Sequence, residues 1–233
     1  MGYGEGYGKV ILFGEHFVNY GTPGIVSAIS LVTEAEVHHS SNEALRIRDD
    51  RRGTPGYVEA KRGQQRESIS RMLDALNLST DALDIWLGGP LPVYSGIGAS
   101  AASCVAVIRA LIDEFGLEAG DDETNAVAYE AEKAFHGPTH AGLDNLAATY
   151  GGVLWFLKGS QVFHEPLQLK EPFEIVVGNT GIVANTHELI AGVARRRAAD
   201  PIHYGRIIEE EHSIVTAARE SLVRGDLTTA GRL

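Results

Sequence analysis

The sequence predicts an α+β fold, and three observations carry that expectation. Short runs of β-branched and apolar residues, such as Lys9-Val10-Ile11-Leu12-Phe13, are bounded by glycines and polar turns, as strands are. Longer segments, 101–115 and 121–135 among them, repeat their apolar residues at helical spacing. The two kinds of segment do not follow a strict βαβ order; hairpin-like strand pairs sit beside helices.

Along the chain, 9–13 reads as a strand that ends in the turn Gly14-Glu15-His16, and 24–36 as a second apolar, β-branched stretch. Residues 42–65 are polar, and their arginines and lysines fit a solvated hairpin or loop better than a ligand site. An amphipathic helix at 68–76 and an alternating strand at 83–87 follow. The segment 139–145 is a small-residue loop, 146–150 a short helix and 152–157 a buried strand. A strand at 173–178 precedes helices at 187–197 and 204–224. No internal repeat or low-complexity linker interrupts this order.

With 233 residues, 44% hydrophobic and 22% charged, the chain has ample material for a core and ordinary globular composition. A net charge of −11 argues against a nucleic-acid surface while leaving room for a local basic pocket. The single cysteine, Cys104, excludes an internal disulfide framework and falls on the apolar side of a helix, where a buried inert thiol is expected. No apolar run reaches the roughly 18 residues of a membrane span, and no basic leader precedes one. A soluble, cytoplasmic protein is the expectation.

The most informative stretch is Ser95-Gly96-Ile97-Gly98-Ala99-Ser100-Ala101, where a glycine-spaced turn enters the helix at 101–115. Glycines permit backbone angles and close approaches that a Cβ forbids. The open N–H groups of a helix start, with the dipole's positive end, form an anion site. The same stretch also fits a tight turn that binds nothing. It is not a Walker A loop, since no Lys-Ser or Lys-Thr follows, and it lacks the third glycine of a dinucleotide fingerprint.

Four other residues could carry chemistry. Asp144, after small residues, could accept a proton from a substrate hydroxyl or cap the helix at 146. Glu132 could bind Mg²⁺ together with phosphate oxygens, or face solvent from mid-helix. Lys9 could meet a phosphate or substrate oxygen, or mark a strand's solvated end. His16 could bond substrate, ligate a metal or act in acid-base chemistry, and no second histidine stands at zinc-ligand spacing.

Four segments together resemble the mevalonate kinases of the GHMP kinase superfamily. Gly8-Lys9-Val10-Ile11-Leu12-Phe13-Gly14-Glu15-His16 is similar to their opening motif, and 95–102 to the superfamily's phosphate loop. Glu132-Lys133-Ala134-Phe135-His136-Gly137 with Gly142-Leu143-Asp144-Asn145 resembles the segment that carries the metal-binding Glu and the catalytic Asp. Asn185-Thr186-His187-Glu188-Leu189-Ile190 lies in a stretch similar to a further motif.

The resemblance implies a two-lobe fold. Residues 1–171 would form an ATP-binding lobe like domain 2 of ribosomal protein S5, and 172–233 part of a ferredoxin-like lobe. The implied activity is ATP- and Mg²⁺-dependent phosphorylation of mevalonate to 5-phosphomevalonate in isoprenoid synthesis. Carried over residue by residue, 95–101 (Ser95, Gly96, Ile97, Gly98, Ala99, Ser100 and Ala101) would bind ATP phosphates, and Ser100 and Glu132 would hold Mg²⁺. Asp144 would be the base and Lys9 its partner, while His16, Glu15, Asp144 and Thr186 would meet mevalonate. Partners would be these small molecules, with no nucleic acid or membrane, and a homodimer is carried as an open expectation. Rivals are a GHMP kinase for another small alcohol, and a non-catalytic relative.

Three departures accompany the resemblance. Gly6-Tyr7-Gly8-Lys9 replaces the usual Ala-Pro-Gly-Lys, Ala99 replaces the first serine of the loop's pair, and His140-Ala141-Gly142 replaces Pro-Ser-Gly with one residue more before Asp144. The family's third glycine-rich motif is absent, so an incomplete chain is expected, with activity as it stands an open question.

Overall fold

The computed structural model describes residues 1–40, 44–53, 56–78, 82–93, 96–138, 140–160, 162–178 and 186–233, with the side chains of 186 and 187 excepted. Two compact units form. The first comprises Met1–Val10 and Ala28–Gly151, the second Ile11–Ser27 and Gly152–Leu233.

In the first unit, β1 (Gly2–Phe13) pairs with β2 (Gly24–His39), and both strands continue into the second unit. Strand β2 runs antiparallel to β4 (Leu83–Gly88), from Glu34 opposite Gly88 to His39 opposite Leu83. Strand β3 (Arg46–Asp49) then joins β4 in parallel. Helices α1 (Tyr57–Ala75), α2 (Ala99–Phe115), α3 (Asp121–His136) and α4 (Leu143–Tyr150) pack on one another, α3 against each of the other three. Val37, Leu83, Ile85 and Leu87 from the sheet meet Ile69, Met72, Ile108 and Leu111 from the helices in one core.

Strand β1 starts seven residues before the predicted strand, and glycine explains why the early part was not legible as β. Gly2, Gly4, Gly6 and Gly8 occupy alternate, buried positions of β1. A Cβ on Gly2, Gly4 or Gly6 would drive into the backbone oxygen of Ala110, Ala106 or Ala102 respectively, far inside van der Waals contact. Two strand residues advance about 6.8 Å and four helical residues about 6.0 Å. The i, i+2 glycines therefore keep step with the i, i+4 alanines, and strand lies on helix with no side chain between.

The polar stretch predicted as a loop contains β3 and the first half of α1. Its Glu, Lys, Arg and Gln residues favour a helix without showing apolar periodicity. Helix α4 starts at Leu143, so Asp144 lies inside its first turn and Gly142 is its N-cap.

In the second unit a 3-10 helix, Glu15–Tyr20, follows β1. The first residues of β2 pair antiparallel with β5 (Val153–Lys158), which pairs with β6 (Val162–Pro166). Helices α5 (Thr186–Ala199), α6 (Pro201–Arg224) and α7 (Leu227–Ala230) complete it. Ile25, Trp155 and Leu167 pack against Val215, Ala218 and Leu222. The strand expected at 173–178 does not form; the segment makes no ladder among the described residues, and Val176 is almost fully exposed. Extended backbone without a neighbour to share its N–H and C=O groups is not a strand.

Candidate active site

The glycine-spaced turn does what its composition allows. Gly96 and Gly98 have φ of 94° and 73°, left-handed values that favour glycine. Gly98 caps α2, and the first intrahelical bond runs from Ala102 N to Gly98 O at 2.9 Å. The N–H groups of Ala99, Ser100 and Ala101 therefore have no acceptor within the helix, and its positive end is left open. Ile97 packs with Leu91, Ala99 and Ala102, which anchors the turn. Ser95 lies outside the described residues.

Lys9 is brought to this turn by the strand below it. Its N–H donates to Ile97 O at 2.9 Å, and its stem passes so near Gly98 that a Cβ there would sit 2.6 Å from Lys9 Cγ. The side chain is buried, and Nζ lies 3.0 Å from Asp144 Oδ1. A solvated strand end is excluded for Lys9. Capping of a helix at 146 is likewise excluded for Asp144, which faces Lys9 from α4.

Glu132 is only 1% exposed, so the solvent-facing alternative fails for it too. Burial, and next the charge of Asp144, hold its carboxyl well above the ordinary glutamate range, against a hydrogen bond from Ser100 and the charge of Lys9. Its Oε1 is buried without a hydrogen-bond partner among the described residues. His136, one turn on, places Nε2 3.2 Å from Ser100 Oγ and 3.7 Å from Glu132 Oε1. Burial chiefly lowers the His136 pKa and favours the neutral ring. Two carboxylates, a lysine, a hydroxyl and a histidine thus gather at the open end of α2.

Ser100, Glu132, Asp144 and Lys9 were singled out from sequence, whereas Arg51 and His136 were not assigned a role. Arg51, one of the basic residues expected in a solvated loop, is buried. It pairs with Asp49 at 2.6 Å and donates to Ser103 Oγ at 2.5 Å and Ala99 O at 3.3 Å. Ser103 Oγ in turn donates to Ala99 O at 2.6 Å, so the first turn of α2 is gripped from beneath. No local pattern separates Arg51 from its exposed neighbours; only the tertiary fold does. A cavity of about 420 Å³ opens here, lined by Arg48, Asp49, Arg51, Arg62 and Gln65 among others. Cys104 is buried as expected, 3.3 Å from Ser68 Oγ, and burial raises its thiol pKa.

Glu15 and His16 belong to the second unit. Glu15 adopts a φ of 26°, and its Oε1 lies 3.5 Å from His16 Nδ1. Thr186 opens α5, and its side chain lies outside the described residues. Among the described residues no helix is long and apolar enough to cross a membrane, and no three His, Cys, Asp or Glu side chains form a metal cage.

Comparison with known proteins identifies the family. Residues 66–152 match the family described as GHMP kinases N terminal domain. The chain is 32% identical over 239 residues to the mevalonate kinase of Thermococcus sibiricus, covering 93% of this chain and 70% of the relative. It is also 32% identical over 231 residues to that of Pyrococcus horikoshii, covering 92% and 68%. The crystal structure of L. major mevalonate kinase in complex with R-mevalonate superimposes with a TM-score of 0.90 at 38% identity, over 100% of this chain and 72% of that one. A Streptococcus pneumoniae phosphomevalonate kinase, at 15% identity and a TM-score of 0.76 over 99% of this chain and 76% of its own, shares the fold.

Proposed function

The chain belongs to the mevalonate kinase family of the GHMP kinases, and from that premise we propose how its residues pass the γ-phosphoryl group of ATP to the 5-hydroxyl of (R)-mevalonate. The observation that carries the proposal is the pairing of buried Lys9 with half-buried Asp144, 3.0 Å apart at the open end of α2. Phosphoryl transfer asks a protein chiefly for alignment and for neutralisation of spread negative charge. The unengaged N–H groups of Ala99, Ser100 and Ala101 bind phosphate oxygens, as a helix start does. Asp144 accepts the proton of the acceptor hydroxyl as the new P–O bond forms and the bond to the ADP oxygen breaks. Lys9 holds Asp144 in place and offsets negative charge as the phosphoryl group moves.

Mg²⁺ fits the donor set. Glu132 presents a buried oxygen without a protein partner, beside the Ser100 hydroxyl. One carboxylate and one hydroxyl, completed by nucleotide oxygens and water, is a donor set that magnesium accepts. Held there by Glu132 and Ser100, the ion would supply neutralisation of phosphate charge.

The resemblance assigns His16, Glu15 and Thr186 to mevalonate, and we carry that assignment, the lobe boundary at 171/172, a homodimer and a cytoplasmic location as further parts of the proposal. Coupled ADP release decides the substrate. Turnover with (R)-mevalonate, lost in Asp144→Asn, is the expected result. Turnover with phosphomevalonate or a sugar but not with mevalonate would overturn the substrate assignment.

A further inference from the structure

One face of α3 supplies more than Glu132. Asn125, Tyr129, Glu132 and His136 recur at intervals of four, three and four residues, so they share a stripe. Glu132 and His136 meet Ser100, as described. The other two reach the segment that leads into Asp144 and the residue that follows it.

Tyr129 contacts that segment in four ways. His140 Nε2 lies 2.9 Å from Tyr129 O. A carbonyl only accepts, so Nε2 carries the hydrogen and donates. The two rings lie 4.2 Å apart with 30° between their planes. The Tyr129 hydroxyl donates to His140 O at 3.4 Å. A Cβ on Gly142 would stand 3.1 Å from the Tyr129 ring, and Gly142 has a φ of 83°. Behind Asp144, Asn145 Nδ2 donates to Asn125 Oδ1 at 2.6 Å. Asp144 is thus tied to α3 on both sides, four residues before it and one residue after.

We propose that Tyr129 and His140 form a positioning pair that sets the place of Asp144 relative to Lys9 in the phosphoryl-transfer reaction. The pair stands where this chain departs from its family: His140-Ala141-Gly142 replaces Pro-Ser-Gly with one residue more before the aspartate. A longer segment has more conformations to lose, and its one proline, Pro138, restrains only the residues ahead of His140. The ring contact and the bond from Nε2 restrict it instead, from a helix that already carries Glu132. Neither residue touches Lys9 or Asp144 in any contact described, so their action is on the placement of the base. The proposal rests on the functional reading above, and its test contains a readout that does not.

His140→Leu keeps bulk and loses the N–H donor, whereas His140→Gln returns a donor near the Nε2 position. In His140→Leu, amide hydrogen exchange across 140–145 should quicken about tenfold while the cores of α2 and α3 keep their protection. The same variant should lose about 10- to 100-fold in kcat with the KM for ATP within about twofold, because a misplaced base costs rate and not nucleotide binding. His140→Gln should recover most of both. Unchanged exchange in His140→Leu overturns the pair as a restraint, whether or not the parent chain turns over mevalonate. Quickened exchange with an unaltered kcat, or equal losses in kcat and ATP affinity, overturns its role in placing the base. If the parent turns over no mevalonate, the functional reading fails, and the exchange result alone decides the restraint.

Discussion

The two sides of the candidate site are held by different means. On the β1–α2 side, main chain lies against main chain: Gly2, Gly4 and Gly6 rest on the carbonyls of Ala110, Ala106 and Ala102, and Gly98 admits the stem of Lys9. On the α3–α4 side, side chains do the holding, with Tyr129 against His140 and Asn125 against Asn145. Backbone packing of the first kind tolerates no added atom, and the glycine turn at the start of α2 is fixed by it. Side-chain ties of the second kind can be loosened one at a time. The difference separates what the fold requires from what the chemistry requires.

The largest effect on stability should follow a methyl group placed on the first side. Gly4→Ala puts its Cβ into Ala106 O and 2.6 Å from Ala110 N, both backbone atoms that cannot rotate away. Overpacking of this kind costs about 1–3 kcal/mol. An unhindered Gly→Ala change in a strand would instead gain about 0.5–1 kcal/mol. Thermal unfolding should therefore show a clear loss of stability, and a neutral or stabilising Gly4→Ala would break the distinction drawn here.

On activity, the largest losses should come from the charged pair. Asp144→Asn and Lys9→Met should each lower kcat by about 10²- to 10⁴-fold, the range for removing a general base or a charge-stabilising group. Circular dichroism and nucleotide binding should remain close to those of the parent, because neither change adds an atom to the packed face. A loss of folding in Asp144→Asn would place that residue with the glycines instead of with the chemistry.

On both sides the residues that carry chemistry were legible in the sequence, and the packing that holds them was not. Lys9, Ser100, Glu132 and Asp144 were named because their motifs resemble a family's. The structure gathers them at the end of α2, though Asp144 occupies the first turn of α4 and not a cap. The glycine alternation of 2–8 is visible as letters, but glycine weakens a strand unless a partner needs the space, and the partner is a helix about a hundred residues away. The burial of Arg51 is illegible in the sequence for a related reason. Its burial depends on Asp49, Thr33 and Ser103 converging, and sequence spacing gives no hint of that. The strand expected at 173–178 shows the reverse error: its composition suits a strand, and no ladder forms among the described residues.

A smaller effect should separate the hydroxyl of Ser100 from the two carboxylates. Ser100→Ala removes a hydrogen bond to Glu132 that favours its charged form. One hydrogen bond is worth about 0.5–1.5 kcal/mol, so the apparent affinity for Mg-ATP should fall about two- to tenfold. Titration of Mg²⁺ at fixed ATP measures it. A loss as great as that of Asp144→Asn would mean that Ser100 does more than orient and complete a metal site.

The smallest effect is a pH dependence of stability in the metal-free chain, and Glu132 sets its sign. Burial raises the Glu132 pKa in the folded state above its ordinary value of 4.5. Between those two values the folded chain holds more protons than the unfolded one, so stability falls as pH rises through that window. His136 acts in the opposite sense: burial lowers its folded pKa below 6.5, so the unfolded chain binds more protons there and stability rises with pH. The two must be separated, and Glu132→Gln does so by keeping the shape of the side chain while removing its titration. The melting temperature of the parent relative to Glu132→Gln should be greatest below pH 4.5 and should decline as pH rises above that value. Saturating Mg-ATP should flatten the decline, since a carboxylate engaged by a cation no longer needs its proton. A difference between parent and variant that does not change with pH would show that Glu132 stays charged in the folded chain. Its orphaned oxygen would then need a protein partner in place of a metal.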